Sequence, residues 1–171
     1  MKDRKELFSA PIATPLGHLL AVVDREGALV ALDLDERTSP WKDQPPDERR
    51  ARKVIEQLER YFAGTLREFR LPLAPPGTPF QRRVWAELER IPFGTTISYA
   101  ELAARIGDPK AVRAVGTANG ANPIAIVVPC HRVIGSDGTL TGYAGGLDKK
   151  RALLEHEARV AGKPVQLALA E

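Results

Sequence analysis

The stretch NPIAIVVPCHRVIG, residues 122–135, holds the only cysteine of the chain. Asn122-Pro123 is a turn signal, and the apolar, β-branched run after it predicts a short buried strand or extended segment. Pro129 lacks a backbone donor and would end that strand at Cys130. A histidine and an arginine follow directly, and cations beside a thiol favour the nucleophilic thiolate. A lone buried cysteine is usually a small core residue, but this context predicts a reactive one.

The last predicted helix, LDKKRALLEHEARVAG (147–162), carries a carboxylate on its apolar stripe and ends at a glycine. That carboxylate belongs to Glu157, and the stripe also contains Leu153, Leu154 and Val160. A buried carboxylate needs a partner, and His131 is the candidate. Cys130, His131 and Glu157 would then be nucleophile, base and orienting acid. Neighbouring side chains of an extended chain point to opposite sides, so we expect a water between Cys130 and His131.

Two helices precede the cysteine, SYAELAARI (98–106) and KAVRAVGTANG (110–120), with Gly107-Asp108-Pro109 between them. The first is predicted to begin with a capping box from Ser98 to Glu101. A helix, a tight turn with glycine and a second helix outline a helix-turn-helix. The second helix is rich in small residues and basic at its start, so it suits close approach to another surface. The plain alternative is a tightly packed helix pair with solvated basic residues.

The first third of the chain predicts a sheet with a covering helix. LLAVVDREGALVALDL (19–34) has two apolar runs around Asp24-Arg25-Glu26-Gly27, which predicts a hairpin. Residues 47–63 then follow a helical period, with Asp47 as the predicted N-cap and Gly64 as the stop.

A proline- and glycine-rich segment, LPLAPPGTP (71–79), predicts a domain boundary. We expect an N-terminal domain over 1–72, a linker over 73–77 and a C-terminal domain over 78–171. The C-terminal domain would open on a helix with a capping box from Thr78 to Gln81 and Pro79 at the first helical position.

Composition narrows the class of protein. The 171 residues are 43% hydrophobic with a net charge of +3, a mild basic bias that is compatible with nucleic acid. No apolar run is long enough for a membrane helix, and the first residues lack the apolar core of a secretory signal. One cysteine excludes an internal disulfide, and the few cysteines and histidines argue against a zinc cage. These features predict a cytoplasmic protein.

The stretches NPIAIVVPCHRVIG and GTLTGYAGGLDKKRALLEHE (138–157) resemble the active-site region of the methylated-DNA–protein-cysteine methyltransferases, the O6-alkylguanine-DNA alkyltransferases. The resemblance is strong over 78–157 and weak over the N-terminal third. It implies an α+β fold, with a ribonuclease-H-like N-terminal sheet-plus-helix domain. The C-terminal domain would be helical, carry the active site and contain the helix-turn-helix.

The resemblance also implies roles for single residues. Cys130 would accept the alkyl group, His131 and Glu157 would relay its proton, Asn122 would brace the active-site turn, and Tyr99 would donate to the departing base. Arg113 would fill the space of the flipped base. The rest of the DNA surface would consist of Lys110, Ala111, Ala114 and Thr117. The base pocket would consist of Tyr143, Val128, Pro129 and Ala144.

The implied activity is repair of O6-alkylguanine, and of O4-alkylthymine, by one irreversible transfer to Cys130 after base flipping. The partner would be double-stranded DNA with an alkylated guanine, bound through the minor groove by a monomer, with no membrane association, cofactor or metal. Two departures from the family bear on this. The N-terminal domain has no cysteine and only His18, so no structural zinc is expected there. Ala144 stands where some members have serine, which removes a hydroxyl contact to the base.

Two other functions stay open at this stage. A non-catalytic binder or regulator would use only the helix-turn-helix, although the retained Cys130 argues against it. A thiol hydrolase would use Cys130, His131 and Glu157 repeatedly on an ester or amide. Cysteine proteases draw their cysteine and histidine from distant segments, so the adjacency of the two residues counts against a protease.

Overall fold

A computed structural model describes residues 6–164, and the chain divides into two compact units between Pro76 and Gly77. The first unit is built on a sheet and the second mainly on helices, which confirms the predicted α+β class. The first five residues of the predicted N-terminal domain and the last seven of the predicted C-terminal domain lie outside the described residues. None of the helices in residues 6–164 has both the length and the apolar character that crossing a bilayer requires.

The N-terminal unit contains an antiparallel sheet in the order β1-β2-β3. Its strands are β1 (Leu7–Thr14), β2 (Gly17–Asp24) and β3 (Leu29–Asp33). The predicted hairpin joins β2 to β3: the Asp24 carboxylate accepts from the backbone N–H groups of Glu26 and Ala28. Gly27 adopts φ +83°, a conformation that glycine adopts without a steric penalty. The sequence patterns did not predict β1.

The covering helix is shorter than predicted. Helix α1 spans Arg52–Phe62 and buries Val54, Leu58 and Tyr61. Asp47 is not its N-cap, because the cap position is Ala51 and carries no side-chain hydrogen bond. The Asp47 carboxylate instead accepts from the backbone N–H of Arg50 and closes a separate turn before the helix.

Part of the predicted linker is paired with the first sheet. The carbonyl of Leu29 accepts from the N–H of Ala74, and the N–H of Leu29 donates to the carbonyl of Pro72. The backbone therefore stays hydrogen-bonded to β3 as far as residue 74.

The C-terminal unit opens with α2 (Pro79–Leu88). The predicted capping box of Thr78 and Gln81 is present, with Pro79 in the first turn. Next come β4 (Ile97–Ser98), α3 (Tyr99–Arg105) and α4 (Val112–Gly120). Only half of the second predicted capping box forms: Ser98 accepts from the N–H of Glu101, while the Glu101 carboxylate pairs with Arg105.

The apolar run before the cysteine is folded into turns, which corrects the predicted strand or extended segment. Residues 125–127 form turns, and Ile126 adopts φ +70°, outside the range of a strand. All side chains from residue 124 to residue 134 are buried, so the apolar run reflects burial and not extended backbone. A 3₁₀ helix over Cys130–Arg132 follows, and β5 (Val133–Ile134) then pairs in parallel with β4.

The last described element is α5 (Leu147–Ala161), which ends at Gly162 in the left-handed conformation, as predicted. It packs against the 3₁₀ helix and places Glu157 on its buried face.

Candidate active site

Cys130 is the first residue of the 3₁₀ helix, and its side chain is buried. Asn122 braces the turn that leads to it. The Asn122 amide donates to the carbonyl of Val128 at 2.8 Å, and its oxygen accepts from the N–H of Ile124 at 3.0 Å. These bonds satisfy backbone groups of the turn, so the turn has a defined shape and presents the cysteine at its end.

His131 and Glu157 are in direct contact. The Nε2 atom of His131 lies 2.7 Å from a Glu157 carboxylate oxygen, and the two side chains are 0% and 1% exposed. Burial lowers the pKa of His131, although Glu157 opposes this shift. Burial would raise the pKa of the Glu157 carboxyl, but His131 and Arg132 outweigh it and hold that pKa well below its usual range. The directions of these shifts favour a neutral imidazole beside a carboxylate that Arg132 keeps ionised.

The protonation states determine the tautomer of His131. Because Glu157 is an acceptor, the proton of the neutral imidazole is on Nε2. The Nδ1 atom then carries a lone pair, and it is buried without a hydrogen-bond partner among the described residues. This arrangement makes the Nδ1 of His131, in the residue after the thiol, a candidate general base.

Arg132 does not act as the predicted cation beside the sulfur. Its guanidinium donates to both carboxylate oxygens of Glu157, from Nε at 2.7 Å and from Nη2 at 3.0 Å. Its third nitrogen, Nη1, donates to the carbonyl of Ile91 at 2.7 Å. The N–H of Gly94 also points to Glu157, at 3.4 Å.

The thiol is not activated at rest, contrary to what its neighbours in sequence predict. Burial raises the pKa of Cys130, and a hydrogen bond from Asn122 and the charge of Lys150 only partly offset that rise. The nearby cation is thus Lys150 on α5, because His131 is neutral and Arg132 is bound to Glu157.

Lys150 is a site residue that the sequence analysis missed. It is fully buried, and its ammonium donates to the carbonyl of Thr141 at 2.8 Å. Burial lowers its pKa to about 8. A signal was available, because Lys150 lies seven residues before Glu157 and shares the same stripe of α5.

Asn119 is a second missed residue. It is buried on α4, its amide lies 3.5 Å from the carbonyl of Cys130, and its Oδ1 atom has no partner among the described residues. A polar residue on the buried face of a helix made of small residues is the signal for it.

Two predicted tyrosines are associated with the loop over residues 135–146. Tyr143 lies on this loop, and Tyr99 on α3 is hydrogen-bonded to it. The Tyr99 hydroxyl donates to the carbonyl of Thr141 at 3.4 Å and lies 3.2 Å from the Thr141 hydroxyl, which donates to it. The Tyr143 hydroxyl is buried without a partner among the described residues, and burial raises its pKa well above the usual value. Val128 and Pro129 are buried, while Ala144 is exposed.

The outer face of α4 carries most of the predicted DNA-binding residues. Arg113, Ala114 and Thr117 are exposed, as is Lys110 just before the helix, and Ala111 is half-buried. The opposite face is buried and includes Val115 and Ala118. The exposed face is thus a basic surface with short side chains.

The described residues contain no cluster of His, Cys, Asp and Glu that could hold a metal ion.

Two family models match the chain, one for each unit. The DNA-binding domain of 6-O-methylguanine DNA methyltransferase matches residues 79–159, and the ribonuclease-like domain of that enzyme matches residues 7–75. A curated relative, the methylated-DNA–protein-cysteine methyltransferase of Mycolicibacterium paratuberculosis, is 50% identical over 153 residues. That alignment covers 86% of this chain and 90% of the relative.

Solved structures agree with these matches. The crystal structure of Mycobacterium tuberculosis O6-methylguanine methyltransferase superimposes with a TM-score of 0.84 at 46% identity, and 96% of each chain is covered. The M. tuberculosis OGT in complex with DNA superimposes with a TM-score of 0.82 at 47% identity, with 93% of this chain and 96% of that chain covered.

Proposed function

The chain belongs to the 6-O-methylguanine DNA methyltransferase family, and on this premise we propose that it repairs O6-alkylguanine in DNA by transferring the alkyl group to Cys130. It is a methylated-DNA–protein-cysteine methyltransferase. The observation that carries the assignment of the acceptor is the buried His131, the residue after the thiol: its Nε2 lies 2.7 Å from the Glu157 carboxylate, and its Nδ1 has no hydrogen-bond partner among the described residues.

The reaction begins with the thiol proton. His131 Nδ1 takes it through a bridging water, and the imidazolium that forms is stabilised by the Glu157 carboxylate at 2.7 Å. Because burial raises the pKa of Cys130, this relay is needed to generate the thiolate at neutral pH. Lys150 adds a positive charge that favours the anion.

The thiolate then attacks the alkyl carbon on O6. A sulfur–carbon bond forms, the carbon–oxygen bond breaks, and its electron pair leaves with the guanine. Tyr99 donates a proton to a ring nitrogen of the departing base. The product at Cys130 is a thioether, which the groups of this site have no means of hydrolysing, so each molecule reacts once. O4-alkylthymine presents the same alkyl–oxygen bond and is a second substrate.

The target base must leave the duplex, because a stacked base cannot reach a buried thiol. In this proposal α3 and α4 form the helix-turn-helix, and α4 enters the minor groove. The short side chains of α4 let its backbone approach the groove closely. Lys110 binds a phosphate group of the DNA, and Arg113 fills the space that the flipped base leaves. One chain supplies all the reacting groups, so a monomer suffices. The need for a reduced thiol suits the cytoplasm.

In the test, the protein is incubated with an excess of a duplex oligonucleotide that carries one radiolabelled O6-methylguanine. We expect at most one methyl group per protein, located by mass spectrometry in the peptide that contains Cys130. Cys130→Ser should bind the duplex with parental affinity and transfer nothing. Repeated turnover, or label on another residue, would contradict the proposal. Steady turnover of an ester or amide would instead identify a thiol hydrolase.

A further inference from the structure

We propose that Arg132 is a positioning residue for the alkyl transfer, because it ties the Glu157 carboxylate to the turn between α2 and β4 (residues 89–96) and so fixes the proton relay through His131. This inference rests on the proposed function and deepens it. The relay of Cys130, His131 and Glu157 accounts for the chemistry but leaves open what holds the carboxylate itself.

The contacts of Arg132 connect three segments of the C-terminal unit. Its Nε and Nη2 atoms bind opposite oxygens of Glu157 on α5, and its Nη1 atom binds the carbonyl of Ile91. The guanidinium carbon lies 5.6 Å from the centre of the Phe93 ring. All three guanidinium nitrogens therefore have partners, and these partners belong to α5 and to the turn between α2 and β4.

The carboxylate is held in one orientation as a result. A bidentate guanidinium prevents rotation about the last side-chain bond of Glu157, and the N–H of Gly94 adds a contact to the same oxygen that Nε binds. The other oxygen then faces His131 Nε2. This geometry keeps the proton of the imidazole on Nε2 and leaves Nδ1 free for the thiol.

Stability alone is a poor explanation for this arrangement. A buried ion pair pays a desolvation penalty that its Coulomb energy often fails to repay, so an apolar pair of similar volume is frequently as stable. Arg132 and Glu157 are 7% and 1% exposed, and this penalty applies to both. Apolar residues could not supply a carboxylate that stays ionised and oriented toward His131.

The experiment compares Arg132→Lys with the parent protein. Lysine keeps the charge but is a point donor and cannot grip two oxygens and a carbonyl together. We expect the pKa of Cys130, measured from the pH dependence of its alkylation by iodoacetamide, to rise, because a loosely held Glu157 stabilises the imidazolium less. The rate of methyl transfer should fall about ten- to a hundredfold, with unchanged affinity for undamaged duplex.

Charged and titratable groups around the pair also affect this titration. His131 and Cys130 lie on the same short helix as Arg132, Lys150 on α5, and Tyr143 on the 135–146 loop. The substitution leaves all four in place. Arg83→Lys is the matched control, since the Arg83 guanidinium also donates to a backbone carbonyl, that of Ile106 at 2.7 Å. It should leave the thiol pKa unchanged.

A double substitution separates positioning from a general structural effect. If Arg132 acts through Glu157, then adding Arg132→Lys to Glu157→Gln should change neither the thiol pKa nor the transfer rate further. The inference would be overturned if the two substitutions reduced the transfer rate independently, so that their effects multiplied in the double variant. A parental thiol pKa in a folded Arg132→Lys protein would overturn it too. Arg132→Gln, which keeps a donor without the fork, gives the same decision if the lysine variant does not fold. Iodoacetamide titration needs no DNA, so it decides on Arg132 even if the parent transfers no methyl group.

Discussion

At the scale of single residues, two opposing effects determine the protonation state of the Cys130 thiol. Burial raises the pKa of Cys130, whereas the ammonium of Lys150 lowers it. Lys150 itself is buried, and its pKa is lowered to about 8. Its charge is therefore present below pH 8 and is lost as the pH rises through that value.

Replacing Lys150 by methionine should raise the pKa of the thiol further, because the site loses its nearby cation. The difference in iodoacetamide reactivity from the parent should be largest below pH 8 and should fade above it, where the parent lysine is neutral too. Lys149→Met, at a half-buried position of the same helix, is the control. A parental thiol pKa in Lys150→Met would mean that the lysine only fills space and binds Thr141.

At the scale of elements, the turn between α2 and β4 packs tightly on α5. Gly94 adopts φ +76°, and a Cβ atom built on it would lie 2.8 Å from the Cβ of Ala161. Its N–H also faces Glu157. The turn thus needs glycine for its backbone conformation and for the space beside α5.

Gly94→Ala should destabilise the C-terminal unit more than Gly107→Ala does. Both positions have positive φ, but a Cβ on Gly107 meets nothing within 4 Å. The left-handed conformation costs each variant about 1–2 kcal/mol, and overpacking adds about 1–3 kcal/mol for Gly94→Ala alone. Urea unfolding in a Trp41→Phe background, where Trp85 alone reports, measures the difference. Equal losses would show that α5 moves aside at no cost.

At the scale of the whole molecule, the reacting groups are buried and the proposed DNA-binding helix is exposed. Cys130, His131 and Glu157 are nearly inaccessible to solvent, whereas Arg113 lies on the outer face of α4. Contact with duplex and reaction with the base therefore depend on different surfaces of the protein.

Arg113→Ala should slow repair of a duplex substrate far more than reaction with free O6-methylguanine. In the proposed mechanism Arg113 compensates for unstacking of the target base, which costs a few kcal/mol and which the free base does not require. Arg105→Ala, which removes one positive charge from α3, should have a much smaller effect on duplex repair. Equal losses on both substrates for Arg113→Ala would place that residue in the fold or the base pocket instead.

Features that depend on neighbours in the chain could be predicted from the sequence alone. The capping box of Thr78 and Gln81, the hairpin at Asp24–Gly27 and the end of α5 at Gly162 each follow from local backbone preferences. The helical period of α5 also placed Glu157 on its buried face. Because a buried carboxylate needs a partner, the sequence predicted that Glu157 contacts His131.

Only the tertiary structure decided the features that depend on burial and on distant segments. Strand β1 contains Pro11 and has a weak pattern, and it exists because it pairs along its whole length with β2. The turns before Cys130 look like a strand in sequence because burial on all sides gives the same apolar run. The thiol pKa, the protonation state of His131 and the direction of Arg132 follow from desolvation and from partners on other segments, such as Lys150 for the thiol and Glu157 and Ile91 for Arg132. Such energies depend on distances in space, which the order of residues does not contain.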